Sequence, residues 1–350
     1  MRRASKTDNV TNHSRRSAGE ALASERPCVA ARFAESPLLM SGRLFPTALI
    51  AALACLAACG DARTPATSAT PSCAPLTMQT TADIPAGRVD RGAFLFEPEE
   101  SVGGAGEVAA FNIDVHEVTN AQYAAFVAAT GYVTVAERKG PDGAPLGGAV
   151  FDRSQARWRI DSAAQWRRPE GAGSDIRGRE RHPVVMVAYE DALAYATWAG
   201  RRLPTENEWE RAARGDAPAP ASREAEAYDG NGAPRANTWQ GVFPFKDAGE
   251  DGFAGSAPVG CFPAGPHGLH DMAGNVWEWT SDRFTGGERF DAARRDTSPA
   301  RVIKGGSHLC SRNFCARYRS GSRQPGDESL GMSHIGFRTV ADVSEDAAEP

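Results

Sequence analysis

The chain has 350 residues, of which 41% are hydrophobic and 24% charged, as in typical soluble globular proteins. Its 36 Gly, 23 Pro and 7 Trp favour an irregular, loop-rich α+β fold over a helical bundle. The formal net charge of -5 gives no electrostatic reason to expect a nucleic-acid partner, since such proteins carry clustered Lys and Arg.

The first distinct segment is an apolar run at residues 44–58, which follows Arg43. It is shorter than the roughly 20 apolar residues that span a bilayer, so it favours the h-region of a signal peptide. The run ends in Leu-Ala-Ala-Cys at Cys59, which resembles the bacterial lipobox and implies lipidation of that thiol. We therefore expect an exported, membrane-anchored lipoprotein that faces the periplasm. The alternative is a buried Ala-rich helix with an incidental Cys59.

Composition divides the whole chain into four parts. Residues 1–59 comprise an upstream stretch and the signal peptide, and residues 60–82 are rich in Ser, Thr, Ala and Pro. Such a segment buries too little apolar surface to offset its ordering entropy, so we predict a disordered tether. Residues 83–343 are even in composition and predict one domain, and residues 344–350 form an acidic tail.

Local patterns predict the first regular elements of this domain. Apolar and polar residues alternate at 111–115, which predicts a half-buried strand. A helix is expected at residues 121–130, because apolar residues recur there at helical spacing. Either Thr119 or Asn120 can cap its start, and Gly131 is suited to end it.

Two further helices follow. Residues 190–199 carry apolar side chains at helical spacing and stop before Gly200. The next helix begins at Thr205, where Thr205 and Glu208 have the spacing of a capping box, and it extends toward Gly215.

Eight segments, in order along the chain, resemble the formylglycine-generating (sulfatase-modifying factor) enzyme family. These are residues 114–120, 130–137, 182–185, 200–206, 237–241, 274–279, 304–307 and 336–338. The resemblance covers essentially the whole chain after residue 82. It implies an irregular, loop-rich α+β domain related to the C-type lectin fold.

Within this resemblance, Cys310 and Cys315 stand where active family members carry their catalytic pair, and Ser307 matches the active-site serine. Thiolates are soft ligands that select copper(I), so two of them can hold the metal and leave room for a substrate thiol. The alternative for this pair is a structural disulfide, which an exported location would permit. Zinc is less expected, because Cys73 and Cys261 show no second ligand pair.

The resemblance implies an oxidase that uses molecular oxygen and a reductant. Its substrate would be the cysteine of a Cys-x-Pro-x-Arg segment in an unfolded sulfatase, converted to Cα-formylglycine. The chain has no Rossmann glycine fingerprint, as expected for chemistry without flavin or nicotinamide. The main alternative is a non-catalytic lipoprotein that binds or assembles other molecules with the same fold. Iron-dependent sulfoxide synthases also share the fold, but they require a fused helical domain.

The resemblance also implies structural calcium, held by the hard oxygen ligands that this ion prefers. Two sets of ligands are expected. The first is Asn237, Thr238, Asp251 and Phe253, and the second is Asp271, Gly274, Val276 and Glu278.

Family members of the animal secretory pathway carry two structural disulfides whose four positions are not cysteine in this chain. The residues found there are Ala196, Ala213, Ser320 and Thr339. Both partners of each bridge are missing, which indicates a different means of stabilisation. Whether Cys73 and Cys261 pair instead is left open by the sequence.

Overall fold

A computed structural model describes residues 73, 80–91, 96–101, 104–217, 220–286 and 299–343. Every described residue belongs to the compact unit Arg63–Pro350. The proposed signal peptide with Cys59 and the acidic tail lie outside the described residues. In the described ranges no helix combines the length and apolar character needed to cross a membrane.

The three α-helices of the described chain lie at Asn120–Thr130 (α1), Tyr189–Trp198 (α2) and Glu206–Arg214 (α3). Each begins within one residue of its predicted start. Thr119, rather than Asn120, caps α1 and shares a capping box with Gln122, while Thr205 and Glu208 form the capping box of α3. Gly131 ends α1 in the left-handed conformation, with φ of 68°.

Short strands make up the rest of the regular structure, apart from three 3-10 turns at Pro98–Ser101, Val135–Glu137 and Pro266–Gly268. In chain order the strands are Thr81–Ile84 (β1), Gly87–Asp90 (β2), Ala105–Val108 (β3), Phe111–Asp114 (β4), Gly148–Asp152 (β5), Arg157–Asp161 (β6), Gly241–Val242 (β7), Lys246–Asp247 (β8), Trp277–Arg283 (β9), Ala300–Lys304 (β10), Arg323–Asp327 (β11), Ile335–Gly336 (β12) and Val340–Asp342 (β13). The strand predicted at residues 111–115 is therefore confirmed as β4.

The described strands form two larger sheets and three hairpins. One sheet has the order β1-β4-β13 and the other the order β11-β10-β9-β12. The pairs β2-β3, β5-β6 and β7-β8 form the hairpins. In the four-stranded sheet β10 and β11 are antiparallel neighbours, and Ile303 lies directly opposite Gln324. The loop between these two strands, residues 305–322, contains both predicted catalytic cysteines.

Aromatic side chains fill the core beneath this sheet. Trp277 and Trp279 of β9 are buried in one cluster with Tyr123, Phe126 and other residues of α1 and α2. Cys310 and Tyr318 belong to the same cluster, so the β10-β11 loop is rooted in the main core. Close packing of this kind fixes a loop more firmly than its own backbone hydrogen bonds would.

The ordered domain begins earlier than its composition indicated. Strand β1 starts at Thr81, inside the segment predicted as a tether, and pairs with β4. Cys73 of the same segment forms a disulfide with Cys261, 188 residues away, which settles the pairing that the sequence left open. Composition could not reveal this, because both restraints come from residues distant in the chain.

Polar networks surround Ser320 and Thr339, two of the four positions where the resemblance implied disulfides, whereas Ala196 and Ala213 pack in apolar clusters. Asp114 accepts hydrogen bonds from the backbone and the hydroxyl of Thr339, and Arg201 donates to the same hydroxyl over 2.7 Å. Glu226 accepts from the backbone and the hydroxyl of Ser320. Hydrogen bonds therefore join the chain segments at these positions.

Candidate active site

The site begins where β10 turns into its loop at Gly305 and Gly306. Both have left-handed backbones, with φ of 90° and 78°. A Cβ on Gly306 would lie 2.6 Å from the Cα of Tyr318, closer than non-bonded atoms approach. The loop can fold back on itself here only because glycine has no side chain.

Cys310 and Cys315 face each other across this loop, with their Sγ atoms 3.8 Å apart. Both are free thiols in this structure, unlike the disulfide partners that the sequence left as an alternative. Cys310 is buried and Cys315 half-buried. Cys315 has a φ of 53°, uncommon for a residue with a side chain, so the loop holds it in a strained conformation.

The two thiols have different acidities. The hydrogen bond between the sulfurs, together with burial, raises the pKa of Cys310 well above its usual range. The same hydrogen bond lowers the pKa of Cys315 to about 7, and the Arg317 guanidinium adds to this effect. Cys315 is therefore the more acidic of the two thiols and the one that more readily forms a thiolate. Because thiolates are the nucleophilic and metal-binding form, this acidity suits a metal ligand.

Ser307 lies in the same buried loop as its sequence position predicted. Its hydroxyl accepts a hydrogen bond from the backbone of Leu309, and its carbonyl accepts one from the backbone of Cys310. The Ser307 backbone and hydroxyl both lower the pKa of Cys310, in opposition to burial. The neighbouring His308 bonds through Nδ1 with the Asn275 carbonyl over 2.9 Å.

A row of aromatic side chains extends from Cys315 along the surface. Phe314 stacks on Phe243 with ring centroids 4.7 Å apart, and Phe243 stacks on Phe151 at 5.4 Å. Phe151 in turn contacts Trp158. We call Trp158, Phe151, Phe243 and Phe314 the aromatic ridge. Phe314 is 50% exposed and Trp158 40% exposed, so the ridge presents apolar surface beside the thiols.

Sequence reasoning missed the aromatic ridge, because its members come from three separate parts of the chain. Val242 and Phe245 flank it on the β7-β8 hairpin and are 58% and 83% exposed. The run Val242 to Phe245 at a tight turn was the available signal, since turns seldom carry several apolar residues together. A large exposed apolar patch of this kind marks a binding surface.

The first predicted calcium set is brought together. Asp251 accepts hydrogen bonds from the backbones of Thr238 and Phe253 and from the Gln240 amide. Burial raises the pKa of Asp251, and these hydrogen bonds only partly oppose the effect. Asn237 lies beside this group and donates to the Gly255 carbonyl. A buried carboxylate with amide partners fits a site where a divalent cation would offset the cost of burial.

The second set has a different environment. Arg338 donates to both oxygens of Glu278 over 2.7 and 2.8 Å, and the Trp209 indole also donates to Glu278. The Gly260 backbone donates to Asp271, whose pKa is raised by burial. Gly274 and Val276 lie between these residues in the chain. Because Arg338 already neutralises Glu278, this set does not fit an ion that needs the Glu278 carboxylate.

Across the described ranges, no group of three or more His, Cys, Asp or Glu side chains is arranged to hold a metal ion. Any metal at the thiol pair therefore has two protein ligands, Cys310 and Cys315. Their chemistry fits copper(I), which accepts soft thiolate donors. A metal–sulfur bond is about 2.3 Å for zinc, so sulfurs up to about 4.6 Å apart can share one ion. The 3.8 Å between these two sulfurs is within that limit.

Comparisons with known proteins agree with this picture. Residues 66–343 match the model of the sulfatase-modifying factor enzyme 1-like domain. The formylglycine-generating enzyme of Mycobacterium tuberculosis is 46% identical over 290 residues, which cover 74% of this chain and 97% of that one. The inactive C-alpha-formylglycine-generating enzyme 2 of Bos taurus is 35% identical over 286 residues, covering 76% and 89% of the two chains.

Among solved structures, PvdO from Pseudomonas aeruginosa shares the fold with a TM-score of 0.53. It is 24% identical, over 75% of this chain and 94% of that one. We call the loop at residues 305–322, which contains Cys310 and Cys315, the thiol loop. The fold and the thiol loop thus define a sulfatase-modifying factor domain, irregular and related to the C-type lectin fold. The chain belongs to the formylglycine-generating enzyme family.

Proposed function

We propose that the chain oxidises a protein cysteine to Cα-formylglycine, with copper(I) held by Cys310 and Cys315. The observation that carries this proposal is the pair of free thiols 3.8 Å apart, one more acidic than the other, in the loop where the family resemblance places the catalytic pair. An inactive relative is also similar to this chain, so family membership alone does not establish activity. The intact thiol pair favours the catalytic alternative.

The overall reaction balances with one oxygen molecule and two reductant thiols. The substrate CH2–SH loses two hydrogens to become a thioaldehyde, and the two reductant thiols lose two more as they form a disulfide. Oxygen takes up the four hydrogens as two waters. One water then hydrolyses the thioaldehyde, which gives the aldehyde and hydrogen sulfide.

The chain's own residues hold and orient the reacting groups. Bound copper would supply activation of oxygen and of the substrate thiol, and Cys310 and Cys315 would be its protein ligands. The Arg317 guanidinium stabilises the Cys315 thiolate. Ser307, buried beside Cys310, limits the cost of charging that thiol.

The surface around the thiols bears on the class of substrate. We propose an unfolded sulfatase segment with the pattern Cys-x-Pro-x-Arg. The name of the mycobacterial relative and the family resemblance support this substrate. The aromatic ridge supports it further, because extended polypeptides expose apolar side chains that a folded client would bury.

Mass spectrometry of a Cys-x-Pro-x-Arg peptide tests the proposal. The peptide is incubated with residues 60–350, copper(I), oxygen and a thiol reductant. We expect conversion of the thiol to an aldehyde, and we expect no conversion with Cys310→Ala or Cys315→Ala. The double variant Cys73→Ser with Cys261→Ser is the matched control, because it removes two cysteines outside the loop and should retain turnover.

A folded protein that binds copper(I) but leaves the peptide unchanged would contradict the oxidase proposal for this motif. It would favour the non-catalytic binding or assembly module. Such a module should be indifferent to Cys310→Ser in its binding reactions, which separates the two functions by experiment.

We also propose that the protein is exported and anchored to a membrane by lipid on Cys59. The apolar run at residues 44–58 and the lipobox-like tetrapeptide support this location. The Cys73–Cys261 disulfide adds support, since disulfides persist mainly in oxidising compartments. Labelling cells with a fatty-acid analogue should mark the wild-type chain but not Cys59→Ala. Equal labelling of both would overturn the anchor.

For calcium, we propose binding at the set around Asp251. Its carboxylate is buried and bonded only to uncharged donors among the described contacts, so a cation would stabilise its charge. The role would be structural, because this set belongs to neither the thiol pair nor Ser307.

A further inference from the structure

Gln324 lies at the base of the thiol loop. It belongs to β11 and is the direct cross-strand partner of Ile303 in β10. Its side-chain amide donates a hydrogen bond to the sulfur of Cys315, with Nε2 and Sγ 3.4 Å apart. Gln324 therefore lies in the strand that follows the loop and also contacts Cys315, the second thiol of the loop.

We infer that Gln324 is a positioning residue that holds Cys315 in the orientation in which it binds copper(I). This inference rests on the proposed copper function of Cys310 and Cys315. It adds to that site a residue contributed by the sheet instead of the loop.

Few groups orient the Cys315 side chain. Its sulfur contacts Cys310 at 3.8 Å and the Gln324 amide at 3.4 Å, and the Arg317 guanidinium also interacts with it. The left-handed backbone of Cys315, with φ of 53°, makes the loop costly to hold in this form. A hydrogen-bond donor on a rigid strand can fix the orientation of a side chain that a strained loop alone would leave free to rotate.

The loop is also held on its other side. Arg317 donates to Glu99 over 2.6 Å and to Glu97 over 3.3 Å, and its backbone donates to the Cys315 carbonyl over 2.7 Å. The backbone of Cys315 is thus fixed independently of Gln324. Substitution of Gln324 should therefore affect the sulfur far more than the course of the loop.

Three side chains of equal length test the inference in the full chain. Gln324 has an N–H donor, Gln324→Met has none, and Gln324→Glu places a carboxylate against the thiolate. Copper(I) affinity is measured by competition with a chromophoric chelator, and the thermal midpoint of each variant checks its fold. Loss of a hydrogen bond to a metal ligand typically lowers affinity by about 10- to 100-fold.

We expect affinity to fall about tenfold in Gln324→Met and further in Gln324→Glu, with little change in thermal midpoint. Equal affinity of the wild type and Gln324→Met would overturn the positioning role and leave the oxidase proposal intact. A loss that followed the thermal midpoint of each variant would also overturn it, because it would reflect folding alone. A wild-type chain that bound no copper(I) would overturn both.

Discussion

Arg338 and Glu278 form a buried bidentate ion pair, with Nε–Oε2 and Nη2–Oε1 distances of 2.7 and 2.8 Å. The solvent-accessible fractions of the two side chains are 0% and 1%, so neither charge can be hydrated if the other is removed. The pair joins β9 to the segment just before β13. It therefore ties the sheet that carries the thiol loop to the three-stranded sheet.

Glu278→Gln should be strongly destabilising. Removing one partner of a buried pair leaves the other charge uncompensated and typically costs about 3–5 kcal/mol. Urea unfolding followed by tryptophan fluorescence measures the change. Asp175→Asn is the control, because Asp175 pairs with Arg177 on the surface and exposed pairs contribute about 0–1 kcal/mol. Equal losses in the two variants would contradict the role assigned to the buried pair.

Calcium should raise the thermal midpoint of the wild-type protein and not that of Asp251→Asn. A ligand that binds only the native state stabilises it by mass action, by about 2.7 kcal/mol at 100 times Kd. Thermal scans with calcium and with a chelator check this expectation. If Asp251→Asn responded like the wild type while Asp271→Asn did not, the ion would belong to the second set instead.

Gly306→Ala should disrupt the thiol loop. Its Cβ would meet the Tyr318 backbone at 2.6 Å, and a φ of 78° is costly for a residue with a side chain. We expect the free energy of unfolding to fall by about 1–3 kcal/mol. We also expect little oxidation of the peptide. Gly321→Ala, in the same loop, has open space around its Cβ and serves as the control. Normal turnover of Gly306→Ala would show that the loop can shift without loss of function.

Phe243→Ala should raise KM for the peptide more than it lowers kcat. Phe243 is the centre of the aromatic ridge, and burial of a large apolar side chain contributes about 1.5–3 kcal/mol, or roughly 10- to 100-fold in binding. Steady-state kinetics at several peptide concentrations separate the two constants. Leu193→Ala, an exposed apolar residue on α2, is the control and should leave both unchanged. An unchanged KM for Phe243→Ala would exclude the ridge from substrate binding.

Stability should fall as the pH drops from about 6.5 to about 4. Burial lowers the pKa of His182 to about 4 and of His334 to about 3, so both stay neutral in the folded chain. Within this pH window the unfolded state binds more protons, and linkage then makes stability rise with pH. Asp191 opposes the trend, because burial raises its pKa to about 6.

His334→Gln should reduce this pH dependence. Nδ1 of His334 finds no hydrogen-bond partner among the described residues, so its loss breaks no such contact at that atom. Each pKa unit removed corresponds to about 1.4 kcal/mol. Urea midpoints at pH 7, 6 and 5 give the slopes for the two proteins. Identical slopes would show that His334 titrates normally in the folded chain.

Local sequence patterns were sufficient for the helices, since Thr205 and Glu208, for example, are only three residues apart. The thiol loop was identified by the family resemblance of its segment, because a Cys-x4-Cys spacing alone does not specify its chemistry. The disulfide between Cys73 and Cys261 joins residues 188 positions apart. The aromatic ridge and the Arg338–Glu278 pair also depend on long-range packing, which spacing alone does not specify.

The calcium expectation shows the same limit at one position. Glu278 was chosen as a ligand because it is a carboxylate at a matching place in the chain. No local pattern indicated that Arg338, 60 residues later, would donate to both of its oxygens. Ligand type can be read from one residue, whereas ligand availability depends on every neighbour that competes for it.

The thiol loop connects two strands that are already paired through five residue positions. The chemistry proposed for it rests on two small side chains, while the sheet and the aromatic core hold the loop's ends in place. A lineage could therefore lose both thiols and keep a stable domain, because the two thiols contribute little to the free energy of folding. This separation of chemistry from architecture gives a physical reason why one fold can include both active enzymes and relatives named inactive.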